Sequence, residues 1–370
     1  MNKKLIALAV AAAVAAPAAM ADTSVTLYGQ VKAGVESVKV QDGVSKTRVS
    51  DETSKIGFKG EEDLGSGLKA IWQVESRVRP DDGGTSADTN AFASRNSFVG
   101  MAGGFGAVKL GRYDSPYKSL TPSGLNAAFD GIGDQGSGGY DPTTAGKGSG
   151  VFGQLDKRLK NVVLYESPVV VGFQAKAMYG TAENKAANTA VAPADNSVSN
   201  TDVYAVSALY SQPMFDVGFA YEQDKNGSNT DAATNKAVNG GKIEGYKGFA
   251  ALKLAGLYLG AGYEQIKAND KYATKGKQKG WLLSASYTLG AIVPFAQYGK
   301  VGDAGDNSDT GSKQYTVGVK YDLSKRTYAR ALYTKLDNEA NAIRDLSVNA
   351  VGTVKGKDVS GFNVGIGHSF

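Results

Sequence analysis

From residue 24 onward the chain alternates apolar and polar positions with a period of two. In LKAIWQVESRVR, which starts at Leu68, the residues Leu68, Ala70, Trp72, Val74 and Val78 share one parity. Lys69, Gln73, Glu75, Arg77 and Arg79 take the other, and only Ile71 and Ser76 disturb the pattern. A strand sends alternate side chains to opposite faces, so each such segment is apolar on one side and polar or charged on the other. The pattern predicts sixteen strands, at 24–38, 54–60, 67–79, 94–101, 105–113, 160–166, 170–180, 201–211, 214–223, 243–253, 257–267, 280–288, 292–300, 312–322, 326–336 and 359–370. The links between them alternate in length. Short ones such as AGG and KLAG face long polar ones at 80–93, 113–159, 181–200, 224–242, 268–279, 301–311 and 337–358. One end of the fold therefore carries tight turns and the other large loops, and no linker divides the chain into domains.

Two architectures fit alternation alone. A soluble sandwich or β-helix buries the apolar face in a core, whereas a transmembrane barrel turns it to lipid and the polar face to a lumen. Composition favours the barrel. Glycine is plentiful, at 48 of 370 residues, and sits within the strands, where it weakens a compact core. Tyr28, Tyr179, Tyr210, Tyr221, Tyr287, Tyr298, Tyr321 and Tyr333 fall near strand ends, as aromatic girdles at two interfaces require. No run of eighteen apolar residues follows residue 21, so helical spans are excluded.

The start, MNKKLIALAVAAAVAAPAAMA, has a basic pair, an apolar stretch and a small-x-small site at Ala19–Ala21. It reads as a secretory signal peptide over 1–21, cleaved to leave a barrel domain over 22–370. Removing Lys3 and Lys4 takes the formal charge from +5 to +3, which says little about partners. The lone histidine, His368, and the absence of cysteine leave no His- or Cys-built metal site. No nucleophile elbow or phosphate-cradling glycine loop is present, and the basic residues are dispersed. Neither an enzyme, a cofactor, a metal nor a nucleic-acid partner is expected.

Several stretches carry a more specific signal. DTSVTLYGQVKAGVE resembles the first strand of the general porins of neisserial and related β-proteobacterial outer membranes, and SKIGFKGEEDLGSGLKAIWQVE resembles their signature block. SRNSFVGMAGGFGAVKLGR is similar to their fourth and fifth strands, YDLSKRT to their penultimate hairpin, and GFNVGIGHSF to their terminal strand. Residues 181–311 resemble the family in pattern and length only. The resemblance implies an all-β, sixteen-stranded antiparallel transmembrane barrel in the Gram-negative outer membrane. It has short periplasmic turns, long extracellular loops and a third loop folded into the lumen. It further implies a homotrimer that passes ions and small hydrophilic solutes, among outer-membrane lipid and lipopolysaccharide. The terminal parity Phe362, Val364, Ile366, His368 and Phe370 would face lipid and be read by the barrel-assembly machinery.

If 113–159 is that third loop, it forms the constriction. Asp114, Asp130, Asp134 and Asp141 would supply its negative field, with Asp156 near its end. Tyr117, Leu120, Leu125, Phe129 and Ile132 would pack it on the wall. The opposite, basic wall would come from Lys32, Lys69, Arg77, Arg95 and Lys109, with Lys69 in mid-strand. Opposed charges across water create a transverse field that sorts solutes by sign and polarity. The mostly basic strand charges predict a weak anion preference, against which the acidic loop works. An outer-membrane structural or adhesion barrel without channel activity is the alternative, its loops then being the functional part. A secreted soluble β-protein is a second alternative.

Overall fold

The computed structural model describes residues 24–81, 92–122, 124–128, 130–136, 139–142, 144–181, 202–225 and 241–370. The expected signal peptide at 1–21 and Phe129 lie outside them. The strands are β1 Ser24–Val40, β2 Lys46–Asp51, β3 Lys55–Gly65, β4 Leu68–Arg77, β5 Ser97–Gly103 and β6 Gly106–Asp114. A short helix, α1 Pro116–Ser119, and β7 Lys147–Ser149 precede β8 Arg158–Glu166, β9 Phe173–Gly180, β10 Asp202–Ser211, β11 Phe215–Lys225 and β12 Lys242–Leu254. Then come β13 Leu257–Ala268, β14 Gly276–Tyr287, β15 Ile292–Val301, β16 Ser312–Asp322, β17 Thr327–Asn338, β18 Ile343–Asp345 and β19 Val359–Ser369. Each barrel strand pairs antiparallel with its neighbours, and β19 pairs with both β17 and β1. β2 and β3 are two pieces of one strand, since both run along β1. With them joined, sixteen strands close into a barrel, while β7 and β18 form a small parallel pair between two loops. Residues 46–51 extend the second strand beyond the predicted 54–60.

The alternation of outward and inward residues persists around the ring. Val35, Val364 and Ile366 are about half exposed on the outside, at 54, 49 and 54%. Lys32 and Glu36, on the other parity, are buried at 3 and 1%. Two outward girdles frame the apolar band. Tyr179, Tyr204, Tyr246, Trp281, Tyr315 and Tyr333 lie toward the long loops, and Phe173, Tyr210, Tyr287, Tyr321 and Phe370 toward the turns. Tyr28 departs from the expected girdle. It shares parity with Lys32, faces the lumen and donates from its hydroxyl to Glu75 Oε2 at 3.1 Å. The last ring closes the barrel: Phe370 and Gly29 exchange backbone bonds at 3.0 and 3.1 Å. A Cβ on Gly29 would stand 2.4 Å from the Phe370 ring, so only glycine admits that ring.

The closed wall leaves a polar interior too wide for strand side chains to fill, and the long link after β6 enters it. Ser115 starts α1 by accepting from the Lys118 amide at 3.2 Å. Tyr117, Leu120, Leu125, Phe152 and Leu155 then pack on the inner faces of β11–β14, against residues such as Ala220, Ile243, Phe249 and Leu282. Ala128, Ile132 and Val151 pack further round, against Phe295, Leu332, Leu336 and Val359. Polar tethers lock the path. The Ala128 amide donates to Gln297 Oε1 at 2.7 Å, and Gln135 Nε2 to Thr316 Oγ1 at 3.0 Å. Tyr117 donates to Glu264 at 3.0 Å, and Lys247 and Lys157 pair with Asp156 and Asp224. From the last loop, Arg344 donates to the Gly150 carbonyl at 3.1 Å and to Gln154 Oε1 at 2.8 Å. The hydrophobic core is thus inside the barrel, between loop and wall, over about half its circumference.

Leu283 lies between the girdle residues Trp281 and Tyr287 on β14 and is 48% exposed. Leu283→Lys should cost about 2–4 kcal/mol, as for a lysine near bilayer mid-depth. It should reduce the fraction of heat-modifiable folded band after refolding, while Leu283→Phe leaves it unchanged. Burial pushes the Asp156 carboxyl up to about 7, against the pull of Lys247, with Glu264 adding to the rise. The folded loop therefore binds a proton that the unfolded chain releases near pH 4. This contribution to stability is complete below that pH and lost as pH rises through about 7. Asp156→Asn should accordingly flatten the fall in thermal unfolding midpoint between pH 5 and 8, measured in detergent.

Candidate functional site

The inner wall of β1–β6, left uncovered by the loop, carries the charged side chains. A break between β2 and β3 begins their arrangement. Asp51 accepts from the amides of Thr53 at 3.1 Å and Ser54 at 2.8 Å, and Thr53 takes a positive φ of 64°. Such a local irregularity re-aims side chains. Here it brings Glu52, 1% exposed, against Arg330 of β17, whose Nη2 donates to Glu52 Oε2 at 2.8 Å. Ser54 Oγ fixes the crossing by accepting from the Lys32 amide at 2.8 Å.

Lys32 reaches from β1 to the loop and pairs with Asp130, which stands on the loop's free edge with a positive φ of 68°. Beside it, buried Glu75 of β4 accepts from Arg95 Nε at 2.6 Å and meets Lys55 Nζ at 3.3 Å. On the far side Lys320 of β16 pairs with Asp322 at 2.8 Å. Together Lys32, Lys55, Arg95, Lys320 and Arg330 line a recess of about 300 Å³, whose loop side is Ala127 and Asp130. Among the described residues five cations face this recess and Asp130 is its one lining carboxylate; Glu52 and Glu75 lie behind the cations they hold. Water in the lumen screens these charges, and Asp130, Glu75, Asp322 and Glu52 offset them at close range.

The sequence-derived basic residues fall at different depths. Lys32 and Arg95 line the recess. Arg77 pairs with Asp51 at 3.0 Å, at the loop end of β4. Lys109 pairs with Glu166 and stands over the rings of Phe98 and Tyr113 at 4.9 and 4.7 Å. Lys69 lies at the turn end of β4, one residue in, and pairs with Glu61 at 2.6 Å. The acidic residues separate likewise. Asp130 lines the recess. Asp134 is 1% exposed and accepts from Asn126 at 2.7 Å and from the Gly136 amide at 2.8 Å, which holds the loop's tip in shape. Asp141 accepts from the Thr144 amide at 3.2 Å and pairs with Lys147 at 3.3 Å. Asp114 pairs with Lys118 and Arg158 at 3.2 and 3.1 Å where the loop leaves the wall.

Lys55, Lys320 and Arg330 were absent from the sequence-derived set. Their signal was inward parity: Lys55 faces inward with Lys59, Lys320 opposes Tyr321, and Arg330 alternates with Tyr333. Phe362, Val364 and Ile366 on β19, and Phe370 just after it, lie outward at 44–54% exposure. His368 shares that face, its Nδ1 2.9 Å from the Thr327 hydroxyl.

Comparison with known proteins places this geometry. A family model described as Gram-negative porin matches residues 7–341. The major outer membrane protein P.IB of Neisseria gonorrhoeae is 34% identical, over 89% of this chain and 92% of its own length. The P.IA protein of Neisseria meningitidis serogroup C is 32% identical, over 89% and 92%. Among solved structures, an anion-selective porin from Comamonas acidovorans superposes with a TM-score of 0.74 at 26% identity, covering 94% of this chain and all of that one. OmpF of Salmonella typhi, in a complex with daunomycin, shares the fold, with a TM-score of 0.66 at 20% identity over 94% of this chain and 97% of that one. A family match along most of the length, on a closed barrel with a loop-lined lumen, settles the relationship: the chain belongs to the Gram-negative porin family and sits in the outer membrane.

Proposed function

We propose that this porin is a passive water-filled channel for ions and small hydrophilic solutes with a weak anion preference, narrowed by the loop over 113–159. The observation that carries the reading is the recess in which five cations face one lining carboxylate. Its residues come from β1, β3, β16 and β17, from the segment before β5 and from the loop's edge, so a solute passing that edge meets all of them. An anion gains from the positive potential without binding tightly, because each cation keeps a carboxylate partner and a wet surrounding. The Comamonas porin, similar along its whole length, is described as anion-selective. In this reading the first 21 residues direct export and are removed. Three copies assemble, and the terminal strand with Phe370 is the signal that the assembly machinery reads. The outward row Phe362, Val364, Ile366, His368 and Phe370 supports that last role.

Reversal potentials in a salt gradient across a planar bilayer test the preference. The wild type should favour chloride over potassium. Lys55→Glu with Lys320→Glu should lower the anion-to-cation ratio roughly two- to fivefold, since one unit charge acts on an ion at 4 Å in water with about 1 kcal/mol, less at the distances of a wet passage. Clear cation preference in the wild type, or an unchanged ratio in the double variant, would refute the anionic reading. A pure preparation without conductance steps would refute the channel. Phe370→Ala, which keeps the backbone bonds to Gly29, should lower the amount of trimer cross-linked in outer membranes of expressing cells while leaving refolding in detergent intact. Equal surface levels would argue against an assembly signal.

A further inference from the structure

The last long loop, residues 339–358, touches the third loop and the barrel wall at once. Its strand β18 runs parallel to β7, with Ile343 opposite Lys147, Arg344 opposite Gly148 and Asp345 opposite Ser149. The Ile343 amide donates to the Gly146 carbonyl at 2.8 Å, and the Gly150 amide to the Asp345 carbonyl at 3.0 Å. The side chain of Arg344, in the middle of β18, is 1% exposed. Its Nη1 donates to the Gly150 carbonyl and to Gln154 Oε1 of the third loop, and its Nη2 reaches Gln278 Oε1 of β14 at 3.4 Å. One guanidinium thus joins two loops and the wall, and all three acceptors are neutral oxygens. Burial pushes it down to about 10, against the pull of Glu264, so at neutral pH it keeps its proton and all its donors.

The stretch GKGSG at 146–150 is shaped for this contact. Gly146 takes a φ of 75°, and a Cβ on it would stand 2.7 Å from the Asn341 carbonyl. A Cβ on Gly148 would stand 2.7 Å from both Arg344 Nη1 and the Gly139 carbonyl. A side chain at either position would hold the last loop off. That loop is braced by its own backbone. The Asp345 carboxylate accepts from the amides of Leu346 at 2.7 Å, Gly352 at 2.8 Å and Thr353 at 3.0 Å. Leu346 is fully buried in one cluster with Ile132 and Val151 of the third loop. Further on, Asn349 Nδ2 donates to the Asp51 carbonyl at 2.9 Å, and Arg48 of β2 donates to the carbonyls of Asn349 and Ala350. The last loop therefore reaches from β14, on the side where the third loop packs, to β2, on the side left open.

We propose that the loop over 339–358 is a strap that fixes the third loop, with Arg344 as its positioning residue, so that the steadiness of the passage is set by the last loop. The inference rests on the reading that the loop over 113–159 narrows the channel. A fastening is needed at this point of the chain. In GDQGSGGYDPTTAGKGSG, residues 133–150, Tyr140 is the only large apolar side chain, so burial of apolar surface holds this stretch weakly. Polar contacts must do the rest. A guanidinium fork suits the task, because each of its bonds is charge-assisted and its removal leaves buried acceptors unpaired. The acceptors being neutral, the cation serves to hold the loop and not to answer a charge on it.

The test uses full-length protein refolded in detergent, read first by deuterium uptake and then by single-channel current in planar bilayers. Arg344→Gln should speed uptake across 139–154 roughly tenfold. It should also raise open-channel current noise above that of wild type. Arg344→Lys, which keeps the charge and loses the fork, should be as noisy while leaving the reversal potential at its wild-type value. The chain has no cysteine, so Lys147→Cys with Ile343→Cys introduces a single disulfide between β7 and β18. Added to Arg344→Gln, that pair should restore slow uptake and quiet current when oxidised and lose both on reduction. Wild-type uptake and a quiet current in Arg344→Gln would overturn the strap, as would a disulfide that closes and restores neither. Faster uptake with an unchanged current would leave the fastening standing and refute the narrowing role of the third loop, and with it the control of the passage by the last loop. If Arg344→Gln yields no heat-modifiable folded band, Gly148→Ala, which leaves Arg344 in the chain and crowds it, carries the same expectations and the same refutations.

Discussion

Everything in this protein follows from the requirement that no backbone polar group remain unpaired in hydrocarbon. A sheet meets it only by closing on itself, and the closure here runs from the pairing of Gln30 with Ser369 to that of Val40 with Val359. Once the ring is shut, the direction of every strand side chain is decided by parity. Val35 and Val364, opposed across the seam, must face lipid together, and Glu36 and Asn363, their neighbours, must face inward together. A one-residue slip would put Lys32 and Glu36 into the membrane. The charged interior and the apolar exterior are one consequence of one register.

Closure also creates a problem that the third loop solves. A ring of this size leaves interior wall that its own side chains cannot cover. Apolar residues of inward parity, such as Phe249, Leu282, Phe295 and Leu332, would then face water. The loop brings Leu125, Ile132, Phe152 and Leu155 to them and so forms the core of the molecule. What remains uncovered is the wall of β1–β6 with β16 and β17, where inward positions are lysine, arginine and glutamate. The channel exists where the loop does not pack, and its charge is that of the residues left bare.

The strands and their facing were legible because alternation reports a two-state choice, in or out, at every residue. The depth of a side chain was not, since period-two reading fixes the face and leaves position along the barrel axis to the turn ends. Lys69 and Lys32 share inward parity, yet one stands beside a turn with Glu61 and the other meets the loop edge at Asp130. Arg330 escaped for a different reason. Its importance comes from the break at Glu52–Ser54, a turn fixed by the Asp51 side chain, and from a partner 278 residues away in sequence. The loop acids looked equivalent as a string of aspartates. Folding assigns Asp134 and Asp141 to the loop's own amides and leaves Asp130 at its edge, a division set by a path that no periodicity describes.

The two populations of lysine show how differently one residue type can be used on the two faces of a sheet. Inside, Lys32, Lys55, Lys109 and Lys320 each meet a carboxylate from the loop, from a neighbouring strand or from two residues along the same strand. Those carboxylates hold the cations in place and moderate the field, which suits a passage that must release what enters it. Outside, Lys300 faces Lys313 and Lys267 faces Lys277, an arrangement that a self-sufficient sheet gains nothing from. Pairing within the chain holds the inner charges in place. Opposition leaves the outer lysines to share what acid is near, as Lys313 and Lys335 share Asp337 at 3.9 and 2.5 Å.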